Sequence, residues 1–100
     1  MTMLPKPTRD QYEWHELERL SMIHIGPATW QGGEYDNLST PLSEINPVGF
    51  DPQQWCEAAK LWGSKLILFV AKHTGGFCWW QTETTDYGIK NLALQGGKAD

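Results

Sequence analysis

Two histidines in this 100-residue chain stand where a polar ring is useful. His24 lies near the end of the β-branched run Ser21-Met22-Ile23-His24-Ile25, which Gly26-Pro27 closes. His73 follows the continuous apolar run KLILFVA at 65–71. Short apolar runs bounded by breakers read as strands, so both imidazoles fall at or near strand ends. Carboxyl groups accompany them: Glu34 and Asp36 flank Tyr35 just after Gly32-Gly33, and Glu83 and Asp86 follow the second run. Carboxyls can act as general acid, general base or nucleophile, while imidazoles donate and accept hydrogen bonds. Each residue taken alone has a plainer reading. His24 and His73 read as core histidines satisfied by backbone groups, Glu34 as a solvated loop carboxylate, Asp86 as a turn residue and His15 as a surface group. The spacing offers no metal site, because His15, His24 and His73 form no ligand pattern and HExxH is absent. Gly-x-Ser-x-Gly and P-loop motifs are absent too.

The elements that must position these groups are few. Residues 1–7, with Pro5 and Pro7, read as an extended leader, and residues 8–20 as a leader helix capped by Thr8, with its body over roughly 9–19. Residues 21–25 form the first strand. The stretch 26–49 carries three prolines and reads as a long irregular loop, a length that is usually functional. The clearest element follows: Asp51 as N-cap, Pro52 at N1, Gln54 completing a capping box, and Gly63 as the C-terminal stop of a helix of about 11 residues. Trp55, Ala58, Ala59 and Trp62 recur at helical spacing, so both tryptophans read as core or interface. Residues 65–71 then suit a strand buried on both faces, as in parallel sheets. Strand, crossover helix and strand make a βαβ unit over 21–91, and residues 92–100 read as a polar tail ending in a helical turn or a frayed end.

Composition bounds what such a chain can do. Twelve acidic against eight basic side chains leave a net charge of −4, and the pI is near 5.2. That disfavours nucleic acid and anionic membrane surfaces, which need a basic footprint. The hydrophobic and charged fractions, 40% and 20%, are those of a globular domain. Six tryptophans imply a heavy core or an aromatic-lined ligand site. Two cysteines, Cys56 and Cys78, make neither a disulfide scaffold nor a CxxC pair and read as inert buried thiols. No apolar run approaches the roughly 20 residues of a membrane span, and the N-terminus lacks an apolar signal core, so the default expectation is a cytoplasmic protein.

Several motifs, in order, resemble glycoside hydrolase family 29, the α-L-fucosidases. Met22-Ile23-His24-Ile25-Gly26-Pro27 followed by Gly33-Glu34-Tyr35 is similar to the family's first barrel strand and the loop after it. Asn46-Pro47 with Phe50-Asp51-x-x-Gln54-Trp55 is similar to the start of its first barrel helix. Ala71-Lys72-His73-x-x-Gly76-Phe77-Cys78-x-Trp80 and Thr85-Asp86-Tyr87-x-x-Lys90-Asn91 are similar to the stretch after its second strand. Pro7-x-x-x-Gln11-x-x-Trp14 matches the leader helix of several members, so the resemblance covers about residues 5–91. It implies hydrolysis of terminal α-linked L-fucose with retention, which needs two carboxyl groups about 5 Å apart. It implies that His24, Glu34, Tyr35 and His73 line the pocket for a fucosylated glycan or fucoside, with Trp80 also against the sugar, and that no cofactor is needed. Glu34, beside the His24 and Tyr35 matches, is the first choice here for a catalytic carboxyl. Tyr35, Trp79 and Trp80 are the rings that would stack on sugar. The family's nucleophile, an Asp on its fourth strand, and its acid/base lie past the region of resemblance. Thr74 and Gly75 stand where the family's motif has His and Asp.

The fold this implies is α/β: a truncated (β/α)8 barrel of about two βα units plus the leader helix, in a single domain spanning 1–100. A full barrel needs about 250 residues. Two parallel strands alone leave unpaired edges, and a two-stranded sheet is marginal in water. The expected remedy is a homo-oligomer whose neighbouring copies complete the site, with the missing carboxyls drawn from Glu34, Asp36, Glu83 or Asp86. The alternative is a non-catalytic module that self-associates and at most binds fucose.

Overall fold

Two parallel strands and the helix between them carry the architecture, as a computed structural model that describes residues 3–100 shows. Of the expected leader over 1–7, residues 1 and 2 lie outside the described residues, and 3–7 have no regular structure. The chain divides into two compact units. One comprises the residues up to Met22 together with Asp51–Leu68; the other comprises Ile23–Phe50 with Phe69–Asp100.

In the first unit, helix α1 spans Arg9–Glu16. The Thr8 hydroxyl accepts from the Gln11 amide while the Gln11 side chain accepts from the Thr8 amide, a reciprocal capping box. The helix is shorter than the expected 9–19, because Glu18 adopts a left-handed backbone (φ 57°) that no helix can continue through. No α1 residue is buried. Helix α3, Pro52–Leu61, starts where its signals place it: the Asp51 carboxylate accepts from the Gln54 amide, and Pro52 occupies the first turn. Gly63, at φ 86°, ends it, and the Arg19 guanidinium donates to the Trp62 carbonyl at 3.0 Å.

The apolar stripe of α3 buries less than its pattern predicts. Ala59 is buried, Trp55 is half-buried, and Trp62 is 50% exposed. Trp62 sits at the C-cap, where the backbone has already left the helix (φ −100°) and the stripe's geometry no longer applies. Cys56 is exposed, contrary to the expectation of a buried thiol, because it lies about 100° round the helix from Trp55. Cys78 is buried as expected.

Strands β1, Ser21–Ile23, and β2, Ile67–Phe69, are shorter than the expected 21–25 and 65–71. Their hydrogen bonds advance together along both strands: Lys65 N–H to Arg19, Ser21 N–H to Leu66, and Val70 N–H to Ile23. That advance is a parallel register, so the βαβ reading holds. The expectation that 65–71 is buried on both faces does not: Ile67 and Leu68 are half-buried and Phe69 is 36% exposed. A sheet of two strands is too narrow to be covered on both sides by its own connections.

The second unit holds the core. Ile45, Phe77, Trp79, Ile89, Leu92 and Ala99 are all buried together. Trp79 is its centre. Its indole N–H donates to the Ile25 carbonyl at 2.7 Å, its ring stacks on Phe50, and Phe77 meets it edge-on. Trp79 is therefore a core residue rather than a sugar platform. The stretch 26–49 is less irregular than expected, since α2 (Ala28–Gln31) and a 3-10 turn (Leu42–Glu44) lie within it. The tail is packed rather than frayed, but Leu94–Gly97 is no regular helical turn, because Gln95 and Gly96 have left-handed backbone (φ 49° and 65°). Leu92 and Ala99 are buried, and the Gln81 amide group donates to the Gly97 and Ala99 carbonyls. Among the described residues no helix is long and apolar enough to cross a membrane.

Candidate functional site

The two histidines meet although 49 positions separate them in sequence. His24 directly follows β1, and His73 comes four residues after β2. Parallel strands point the same way, so residues after both of them gather at one end of the sheet. The imidazole centroids are 4.4 Å apart with planes tilted by 57°. Tyr35 joins from the loop after α2; its ring lies within 5° of the His73 plane at a centroid distance of 6.2 Å. The Thr74 hydroxyl lies 3.2 Å from His73 Nδ1 and gives that ring a local hydrogen-bond partner.

Beside them is a small hollow whose lining includes His24, His73, Thr74, Asp36, Phe77 and Trp79. Its volume of about 20 Å³ is room for about one water molecule. Its polar groups come from loops and its apolar wall from the core, so the hollow is built on the best-packed part of the chain.

Asp36 is the most constrained carboxylate here. One oxygen accepts from the Gln31 side-chain amide and from the Leu38 amide, both at 2.8 Å, and the other accepts from the Tyr87 hydroxyl at 2.6 Å. Burial raises the Asp36 pKa, but the three donors outweigh it and hold the carboxyl below its ordinary value of 3.8. The same contact, after burial itself, pushes the Tyr87 phenol well above its ordinary 10.0. Asp36 is thus a fixed anion and not a proton carrier near neutral pH.

The other candidates are placed differently. Glu34 is exposed and lies outside the lining of the hollow, and so does Trp80, which is 38% exposed. Asp86 has a 98% exposed side chain that faces Lys90 Nζ at 3.5 Å. Its carbonyl accepts from the Gly88 amide and the Asn91 side chain, which is turn chemistry, as its plainer reading held. The role of Tyr87 as the partner of Asp36 was not read from the sequence. Its only signal there is its place in the Thr85-Asp86-Tyr87 motif. Among the described residues no cluster of three His, Cys, Asp or Glu side chains could hold a metal ion.

The α-L-fucosidase family model matches residues 8–100, which takes in every element described above. The chain belongs to the α-L-fucosidase family. Alpha-L-fucosidase 1 of Arabidopsis thaliana is 33% identical over 98% of this chain. A glycoside hydrolase 29 family member from a rumen bacterium superimposes with a TM-score of 0.90 and 34% identity over 96% of the chain. A Ruminococcus gnavus family 29 fucosidase, solved with fucose, reaches a TM-score of 0.75 at 30% identity over 87%. The chain spans only 19% of the Arabidopsis fucosidase and 17% and 18% of the two crystallised ones. The fold of this chain is therefore shared with a part of much larger fucosidases.

Proposed function

We propose that this chain acts in the hydrolysis of terminal α-linked L-fucose with retention of configuration. In this reading, its parallel βαβ unit serves as two units of a (β/α)8 barrel. The observation that carries the proposal is the convergence of His24, His73 and Tyr35 in a family of fucosidases. The two imidazoles hydrogen-bond the sugar hydroxyls and Tyr35 stacks on its apolar face. A hollow with room for about one water cannot enclose a pyranose, so the sugar lies across its mouth, with its other face open to further protein. A second copy of the chain supplies that further wall.

A retaining mechanism needs a nucleophile and an acid/base about 5 Å apart. Asp36 is bound by three donors, and Asp86 is turned to Lys90, which leaves Glu34 as the carboxyl of this loop with freedom to act. The immobility of Asp36 also favours a second reading, in which the chain recognises fucose and catalyses nothing by itself.

Release of 4-nitrophenol from its α-L-fucoside, with light scattering on the eluted peak, separates the two. Turnover in an oligomeric peak, lost in Glu34→Gln and in His24→Ala, is the expected result. Turnover indifferent to both substitutions overturns the proposal, as does a monomer without turnover. Binding of L-fucose without turnover establishes the second reading.

A further inference from the structure

Beside Gly75, two residues past His73, the structure places a carboxylate from a distant part of the chain. Gly75 has φ 93°, and a Cβ built on it would lie 2.5 Å from Asp36 Oδ2 and 2.8 Å from Asp36 Cβ. The Asp36 side chain therefore fills the space that a residue-75 side chain would take. We propose that Asp36 is a positioning residue that ties the Tyr35 loop to the His73 loop and so sets the spacing of the sugar-facing rings.

Three contacts make it a junction. Its Oδ1 closes the 31–38 loop through Gln31 and Leu38. Its Oδ2 accepts from Tyr87, on a segment 51 positions away. Its body packs against the glycine two residues past His73. Tyr35 is the neighbour of Asp36 in sequence, so fixing Asp36 fixes the backbone that carries Tyr35. Gly75 leaves the room this needs: a side chain there would push the carboxylate off Tyr87. Asp36 and the absence of a side chain at Gly75 are thus two parts of one arrangement.

The role in sugar binding rests on the fucose reading above, whereas the role in loop geometry does not. Two measurements keep them apart. In the free protein, the ring-current shift that Tyr35 imposes on the His73 ring protons is defined by comparison with Tyr35→Ala. Asp36→Ala is expected to abolish that shift, and Asp36→Asn, which keeps an oxygen for Gln31 and Leu38, to preserve most of it. L-Fucose binding is expected to weaken about tenfold in Asp36→Ala, the loss of one hydrogen-bonded anchor, and to recover in Asp36→Asn.

A spectroscopic titration supplies a signature that simple destabilisation does not. The Tyr87 phenol titrates above its ordinary value in the native protein, through burial first and the Asp36 contact second. In Asp36→Asn it moves down toward that value without reaching it, because the burial remains. His73 shifts that survive Asp36→Ala unchanged, or a Tyr87 titration that Asp36→Asn leaves unmoved, overturn the proposal. If the native chain does not bind L-fucose while the His73 shifts still respond, the functional reading fails and the positioning role stands.

Discussion

The two units of this chain invert the usual relation between local signals and stability. The unit built from α1 and α3 has the best local code: a reciprocal capping box at Thr8, an Asp51-Pro52 start and a Gly63 stop. Yet the only buried residue of these two helices is Ala59, while Leu61 is 90% exposed. The other unit has only α2, two single-residue bridges, short 3-10 turns and long loops, but it contains the aromatic core and the candidate site. Caps and propensities contribute about 1 kcal/mol each, whereas a buried tryptophan contributes several. Regular structure and stability are therefore carried by different parts of this molecule, and the site lies with the stability.

The severest test of this contrast is Trp79→Ala. Removing the ring at the centre of the core and orphaning the Ile25 carbonyl should cost about 3–5 kcal/mol, read as loss of the cooperative thermal transition in near-ultraviolet circular dichroism. A variant that melts like the native chain would show that the core is not where stability resides. Thiol chemistry sharpens the same contrast without mutation. Cys56 should react with an aromatic disulfide reagent at least about tenfold faster than buried Cys78, and denaturant should erase the difference. Equal rates in the folded protein would contradict the burial of the second unit. A smaller effect belongs to Asp51→Ala. Loss of the α3 cap should lower stability by about 1 kcal/mol, seen as a shifted denaturant midpoint. Least of all should follow Trp62→Ala, a change of about 0.5 kcal/mol or less in the same measurement. A cost as large as that at Trp79 would mean that Trp62 is covered in solution, as self-association would require.

Much of the architecture was legible because its signals are local. The βαβ order, both helix starts and the Gly63 stop follow from a few residues each. The errors fell where a neighbour decides. Strand ends were overestimated because apolar runs continue past the last ladder bond. Trp62 was read as part of a stripe that the C-cap geometry had already ended. Trp79 and Trp80 were alike in sequence, but one met Phe50, Phe77 and the Ile25 carbonyl while the other stayed half open.

The candidate site divides in the same way. The positions of His24 and His73 beyond two parallel strands were readable from the breakers around each run, and their meeting follows from parallel pairing. The sequence therefore determined, by itself, the strand–helix–strand order and the histidines just beyond its strands, since hydrophobic runs, caps and breakers act over a handful of residues. Only the tertiary structure decided which carboxylate is held and which is free. That choice rests on Tyr87 reaching Asp36 across 51 positions and on the space beside Gly75, and no local pattern encodes either.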